Sequence, residues 1–172
     1  MNGYSFDKLK VFVVAKDQHM RRLVVTILQA FGTAQIREAA DHEGAWKILH
    51  EFVPDIVFLD WQEETALELV KRIRTSEQSP DPFMPIILLT AQADAEHLRL
   101  ARDAGVDEFL TKPTSARALM ARIVAVIENP RPFVRTNSYF GPCRRYRASE
   151  EYRGPDQRLL TVAKRNMELA AA

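Results

Sequence analysis

The stretch Pro54-Asp55-Ile56-Val57-Phe58-Leu59-Asp60-Trp61 decides how the rest of the chain is read. Four apolar residues in a row, Ile56 to Leu59, follow Pro-Asp and precede a carboxylate. That pattern marks a strand buried on both faces, as in a parallel sheet. Asp60 then falls at the strand's C-terminal end, the edge of an open α/β sheet where ligands and chemistry sit.

Working outward, the same alternation of apolar strand and amphipathic helix recurs. Leu9 to Val14 is a β-branched run and reads as the first strand. Met20, Leu23, Val24, Ile27, Leu28 and Phe31 stand at helical spacing, and Gly32 ends that helix. A short second strand is expected over Thr33 to Arg37, then a helix capped by Asp41 with Ala45, Ile48, Leu49 and Phe52 inward. After Asp60 come a helix over Glu64 to Arg74, a strand Ile86 to Leu89 ending in Thr90-Ala91, and a helix closing on Gly105. Asp107 to Thr111 forms a fifth strand ending in Lys112-Pro113, and Ser115 to Ile127 a last helix. Five such alternations predict a doubly wound α/β fold, a five-stranded parallel sheet with helices on both faces, followed by a basic C-terminal extension; right-handed crossovers leave few strand orders open.

The 172 residues are 47% hydrophobic, enough for a packed core. Net charge is +1 overall, but residues 1–128 carry 15 Lys/Arg against 19 Asp/Glu, whereas residues 129–172 carry 9 against 4. A domain boundary is placed at 128, where prolines, glycines and arginines begin to accumulate. The basic segment after it suits an anionic partner, and a terminal amphipathic helix is expected over 156–169. The core of the α/β domain is expected to be complete at Glu128. One cysteine, Cys143, excludes an internal disulfide and fits a reducing cytoplasm. No apolar run approaches the length of a membrane span. His19, His42, His50 and His97 show no metal-ligand spacing, so no metal site is expected from them.

Asp60, Thr90-Ala91, Ala104-Gly105 and Lys112-Pro113, each after the appropriate element, give residues 9–128 a resemblance to response-regulator receiver domains of two-component signalling, of the chemotaxis-regulator type. The resemblance implies a flavodoxin-like sheet in the strand order 2-1-3-4-5 and a non-enzymatic signalling protein working with a kinase or target protein. Asp60 would be the phospho-acceptor position, Lys112 its ammonium, Thr90 the hydroxyl that moves toward phosphate, and Phe109 the switch aromatic. Such a pocket stabilises charge developing on the transferred phosphoryl group.

The family also places two acidic residues after the first strand to hold Mg²⁺. Here those positions are Ala15 and Lys16, and Asp17 falls one residue late. Mg²⁺ binds through carboxylates and phosphates, so its binding is expected to be weak at best. Lys16 is expected to place its ammonium against Asp60. The loop after Asp60 runs Trp61-Gln62-Glu63-Glu64-Thr65, about two residues short of the family's usual loop. These departures predict a phosphorylation-impaired pseudo-receiver. The alternative is a conventional phospho-accepting regulator in which Asp17 or Glu63 supplies the missing carboxylate and the tail is structural or dimerising.

The extension contains a repeat: Tyr139-Phe140-Gly141-Pro142-Cys143-Arg144-Arg145 is followed by Tyr152-Arg153-Gly154-Pro155-Asp156-Gln157-Arg158. Gly-Pro is expected to make a stiff bend holding Tyr and Arg on fixed sides. Arginine forks onto guanine or phosphate, and tyrosine stacks on purines. The pattern resembles the arginine-rich extension of receiver-like proteins that bind cyclic di-GMP. That resemblance implies nucleotide contacts from Tyr139, Gly141, Pro142, Arg144, Arg145, Tyr152, Gly154, Pro155, Asp156 and Arg158. Cys143, where the class has Asp, and Gln157, where it has Arg, depart from it. Without a helix-turn-helix or long basic helix, sequence-specific DNA binding is not expected.

Overall fold

The computed structural model describes residues 5–61 and 65–144 and the backbone of 160–162. β1 (Lys10–Val14), β2 (Gln35–Ala39), β3 (Ile56–Trp61), β4 (Ile86–Thr90) and β5 (Glu108–Thr111) form one sheet in the order β2-β1-β3-β4-β5. Every pairing in it is parallel. This is the doubly wound topology predicted from the sequence.

Because side chains alternate across a strand, each central strand feeds two cores. Phe12, Val14, Val57, Leu59, Ile86 and Leu88 face one side. There they meet α2 (His42–Phe52), α3 (Thr65–Thr75) and α4 (Ala95–Ala104) through residues such as Leu49, Val70 and Ala101. Val11, Val13, Ile56, Phe58, Ile87 and Leu89 face the other side. They pack on α1 (Gln18–Ala30) and α5 (Ala116–Glu128) through Val24, Leu28, Leu119 and Ile123.

The second strand lies two residues later than its expected Thr33 to Arg37. Gly32 adopts φ +86°, and the Thr33 amide turns back to donate to the Leu28 carbonyl at 3.1 Å. Thr33 is thereby spent on closing α1 before pairing can begin.

The basic extension folds back on the domain through Arg144. β6 (Phe133–Arg135) pairs antiparallel with β7 (Phe140–Pro142) on one side and β8 (Leu160–Val162) on the other. β8 corrects the helix expected over 156–169: at 160–162 the backbone is a strand. A β-branched Thr-Val pair and the unpaired edge of β6 favour that outcome. The other residues of that span lie outside the described residues.

Three aromatic rings seat this small sheet. Phe83, in the loop between α3 and β4, lies 5.0 Å from Phe133 and 5.3 Å from Phe140, and the latter two are 5.7 Å apart. Phe133 is 2% exposed and Phe140 7%, so the core is not complete at Glu128. Beneath Phe133 lies the Arg74 guanidinium, 5.0 Å from the ring centre. Arg74 reaches the carbonyls of Gly105, Pro82 and Met84 at 2.7–2.9 Å and the Asp107 carboxylate at 2.7 Å. All of this lies at the N-terminal ends of β4 and β5, opposite the edge that carries Asp60.

Candidate functional site

Parallel topology brings the C-terminal ends of β1, β3, β4 and β5 to one edge, and Asp60, Thr90 and Lys112 converge there. Asp60 is the fifth residue of β3, and its side chain is 1% exposed. Lys112 follows β5 directly; its amide donates to the Thr90 carbonyl at 2.8 Å, which fixes the turn that aims its side chain. Its ammonium pairs with Asp60 Oδ1. Asp60 Oδ2 is buried and accepts no hydrogen bond from any described residue. Asp60 is thus paired by Lys112 and not, as expected, by Lys16, which lines the same cavity as Asp60.

Thr90 is 1% exposed, and its hydroxyl is engaged locally. Oγ1 donates to the Gln92 carbonyl at 2.8 Å and accepts from the Gln92 amide at 3.0 Å. Phe109 is half-buried against the α2–α3–α4 core, with the Arg102 guanidinium 5.8 Å from its ring.

Ala15 is 2% exposed; its amide continues the β1–β2 ladder to the Ala39 carbonyl at 3.0 Å, and its carbonyl accepts from Arg21 at 2.5 Å. Asp17 is the N-cap of α1. Its Oδ1 accepts from the His19 amide at 2.7 Å and the Met20 amide at 3.1 Å. Those amides, Met20's foremost and then His19's, hold its carboxyl below the usual carboxylate range. Asp17 is therefore committed to capping the start of α1. Glu63 lies outside the described residues.

The family implies a magnesium ion here, and the described residues do not fit one. Among them no three His, Cys, Asp or Glu side chains group as a metal site requires. The one buried carboxylate already faces an ammonium, where a cation would need further oxygens.

Two cavities flank Asp60. One, of about 300 Å³, lies between β1 and β3 and is lined by Val14, Ala15, Lys16, Ala40, His42 and Asp60 among others. The other, about 640 Å³, runs between α3 and α4 past Trp61, Leu67, Thr90, His97, Leu100 and Lys112. The Trp61 and His97 rings lie 5.4 Å apart, and Asp94 accepts from His97 Nδ1 at 2.6 Å. Sequence reasoning missed this wall; an aromatic directly after Asp60 was its only local signal.

The first unit of the repeat is a packing element. Gly141-Pro142 lies in strand β7, which corrects the expected bend. A Cβ at Gly141 would stand 2.6 Å from the Tyr139 hydroxyl and 3.2 Å from the Gly105 Cα, so close packing demands the glycine. Tyr139 is 8% exposed, and its hydroxyl donates to the Pro142 carbonyl at 2.7 Å. Pro142, with no N–H to offer, sits in the outer strand of the three. The Arg144 guanidinium covers the Tyr139 ring at 4.3 Å and pairs with Asp103 of α4. Arg145, Tyr152, Gly154, Pro155, Asp156 and Arg158 lie outside the described residues.

A five-stranded parallel sheet in this order, with an aspartate, a threonine and a lysine meeting at its C-terminal edge, defines a receiver-type α/β domain. Residues 11–124 match the family described as "Response regulator receiver domain", and the chain belongs to it. It is 30% identical over 125 residues to the phosphate regulon transcriptional regulatory protein PhoB of Escherichia coli, covering 72% of this chain and 53% of PhoB. The chain thus spans about half the length of that relative. It is 28% identical over 122 residues to the chemotaxis protein CheY of Pseudomonas aeruginosa, covering 70% of this chain and 97% of CheY. Among solved structures, the Vibrio cholerae chemotaxis protein CheY4 superposes with a TM-score of 0.63 at 27% identity, over 69% of this chain and 98% of CheY4. No described helix is long and apolar enough to cross a membrane.

Proposed function

We propose that this receiver signals by docking on a kinase or target protein without Mg²⁺-dependent phosphoryl transfer to Asp60. The observation that carries this reading is the buried Asp60–Lys112 pair in a pocket whose metal-holding positions are Ala15 and Lys16. A phosphoryl group arriving at Asp60 brings further negative charge into a buried site. Lys112 offsets part of it, and no described carboxylate pair recruits a second cation. The test is intact-mass measurement after incubation with acetyl phosphate and Mg²⁺. No adduct is expected. An adduct that disappears in Asp60→Asn would restore the conventional phospho-accepting reading.

The repeat supports a second activity, binding of cyclic di-GMP by the extension. Its two units share Tyr, Gly and Pro, but the buried Phe140 of the first is replaced by Arg153 in the second. An arginine cannot fill the Phe83–Phe133 seat, so the second unit has a different task. Arg145 and Arg158, with Asp156 as acceptor, carry the chemistry for guanine and phosphate. Loss of one bidentate arginine should cost about 1–3 kcal/mol, roughly tenfold to a hundredfold in affinity. Calorimetry on the full chain, Arg145→Ala and Arg158→Ala tests this. Equal affinity for an unrelated dinucleotide would reduce the extension to its packing role.

A further inference from the structure

His50 lies in the last turn of α2, and each nitrogen of its ring faces a carbonyl oxygen. Nδ1 is 2.8 Å from the Trp46 oxygen one turn back, and Nε2 is 2.8 Å from the Gln78 oxygen in the loop between α3 and β4. A carbonyl can only accept, so both contacts need a proton on the ring nitrogen. Neutral imidazole has one N–H and imidazolium has two. In either neutral tautomer one nitrogen would set its lone pair against an oxygen lone pair at hydrogen-bond distance. The full arrangement therefore requires the charged ring.

The carbonyl end of a helix attracts a cation, and His50 is the basic residue of this one's last turn. His50 is exposed, so solvent protons reach the ring. The Trp46 ring stands edge-on to it, with centres 5.0 Å apart. The Arg72 guanidinium of α3 covers the same indole at 4.1 Å and is itself paired with Glu43 at 3.2 Å. On α2, Lys47 lies one turn before His50 and Glu51 directly after it; on the loop, Glu77 precedes Gln78 and Asp81 follows. Lys47 and Arg72 oppose a charge on the ring, and Glu51, Glu77 and Asp81 favour it. Lys47, Glu51 and Glu77 are exposed and screened, and Arg72 is offset by Glu43, which leaves the two carbonyls as the main influence. Val53 closes α2 at φ 40°, a costly conformation for a β-branched residue, so this helix end is held by what surrounds it.

We infer that His50 is a proton-operated latch. Doubly protonated, it ties the end of α2 to the Gln78 carbonyl; on losing a proton it releases one of its two carbonyls. Gln78 stands five residues before Phe83, so the latched loop is the one that seats the basic extension. Only the folded chain offers both carbonyls, so the second proton stabilises it. That contribution is present at low pH and lost as pH rises through the imidazole range, roughly 5 to 8.

Urea unfolding of the full chain and of His50→Gln, at about pH 5.5 and about pH 8, tests the latch. Glutamine does not titrate. The wild-type advantage in the folded-to-unfolded ratio should be at least about threefold greater at the lower pH, the loss of one hydrogen bond. The Ser79 amide shares its peptide bond with the Gln78 carbonyl. In the ¹⁵N-labelled wild type its shift should follow the titration of the His50 ring, and in His50→Gln it should stay still. An equal advantage at both pH values, or a Ser79 amide that does not move as His50 titrates, would overturn the latch. The Ser79 shift needs only the wild-type chain and decides the matter if His50→Gln does not fold.

Discussion

The Arg74 guanidinium and the Asp107 carboxylate meet at 2.7 Å with side chains only 1% and 6% exposed. The same Asp107 oxygen accepts from the Ile86 amide at 2.9 Å, so one carboxylate ties α3 to the start of β4. Burial pushes the Arg74 guanidinium below its usual range, and Asp107 opposes that push. Removing one partner leaves the other buried and uncompensated. Asp107→Ala should therefore destabilise the fold by about 3–5 kcal/mol, measured as a shift of the denaturant midpoint. A loss under ~1 kcal/mol would mean that water reaches Arg74 freely.

At the opposite edge the same logic applies to Asp60 and Lys112. Lys112→Met should cost about 3 kcal/mol, because the Asp60 carboxylate stays buried without its ammonium. Combining it with Asp60→Asn should recover a large part of that cost, since the pair is then absent rather than broken. Additive losses in the double-mutant cycle would show that the two side chains act independently.

Tyr139 gives the fold an alkaline limit. Burial pushes its phenol up to about 12 from 10.0, with Arg74 and Arg144 partly opposing the rise. The folded chain thus holds this proton more tightly than the unfolded chain does. The associated stability is whole below pH ~10 and is lost as pH rises through about 12, an effect on the order of 1–2 kcal/mol. Ultraviolet titration of the full chain should show one tyrosine ionising late, and Tyr139→Phe should remove that step.

Truncation after Glu128 should lower stability markedly, because it strips Phe133 and Phe140 from Phe83 and uncovers Arg74. Phe133→Ala alone should cost about 3–5 kcal/mol. A truncated domain with an unchanged thermal midpoint would show that these rings are already solvated in the intact chain.

The parts legible in the sequence were those with a short repeat length. Apolar runs such as Ile56 to Leu59 and Ile86 to Leu89 announce buried strands by themselves, alternation with helices makes the sheet parallel and leaves few orders, and the resemblance to receivers selects one of them. Once that order is known, Asp60, Thr90 and Lys112 must share an edge, so their meeting was readable in advance. Which lysine would face Asp60 was not, because Lys16 and Lys112 both flank the pocket and differ only in turn geometry. The extension defeated pattern reading for another reason. Its strands are three residues long, too short for a period, and Phe133, Tyr139 and Phe140 are held by partners distant in sequence. Gly141-Pro142 reads locally as a bend; only the Tyr139 ring lying against it explains an extended glycine. Arg74, at the end of an amphipathic helix, carries the ordinary mark of a solvated charge, yet it is 2% exposed.

β5 is four residues long, and an ion-pair member stands immediately outside each end: Asp107, held by Arg74, and Lys112, holding Asp60. From one to the other is roughly 17 Å of extended chain. A strand clamped in this way has no slack along its own axis: sliding it by a single residue must break both pairs together. It works as a strut, with the aromatic sheet at its foot and the Asp60 carboxylate at its head. Slow hydrogen exchange at the β5 amides that pair with β4 would then report on both ends of the domain at once.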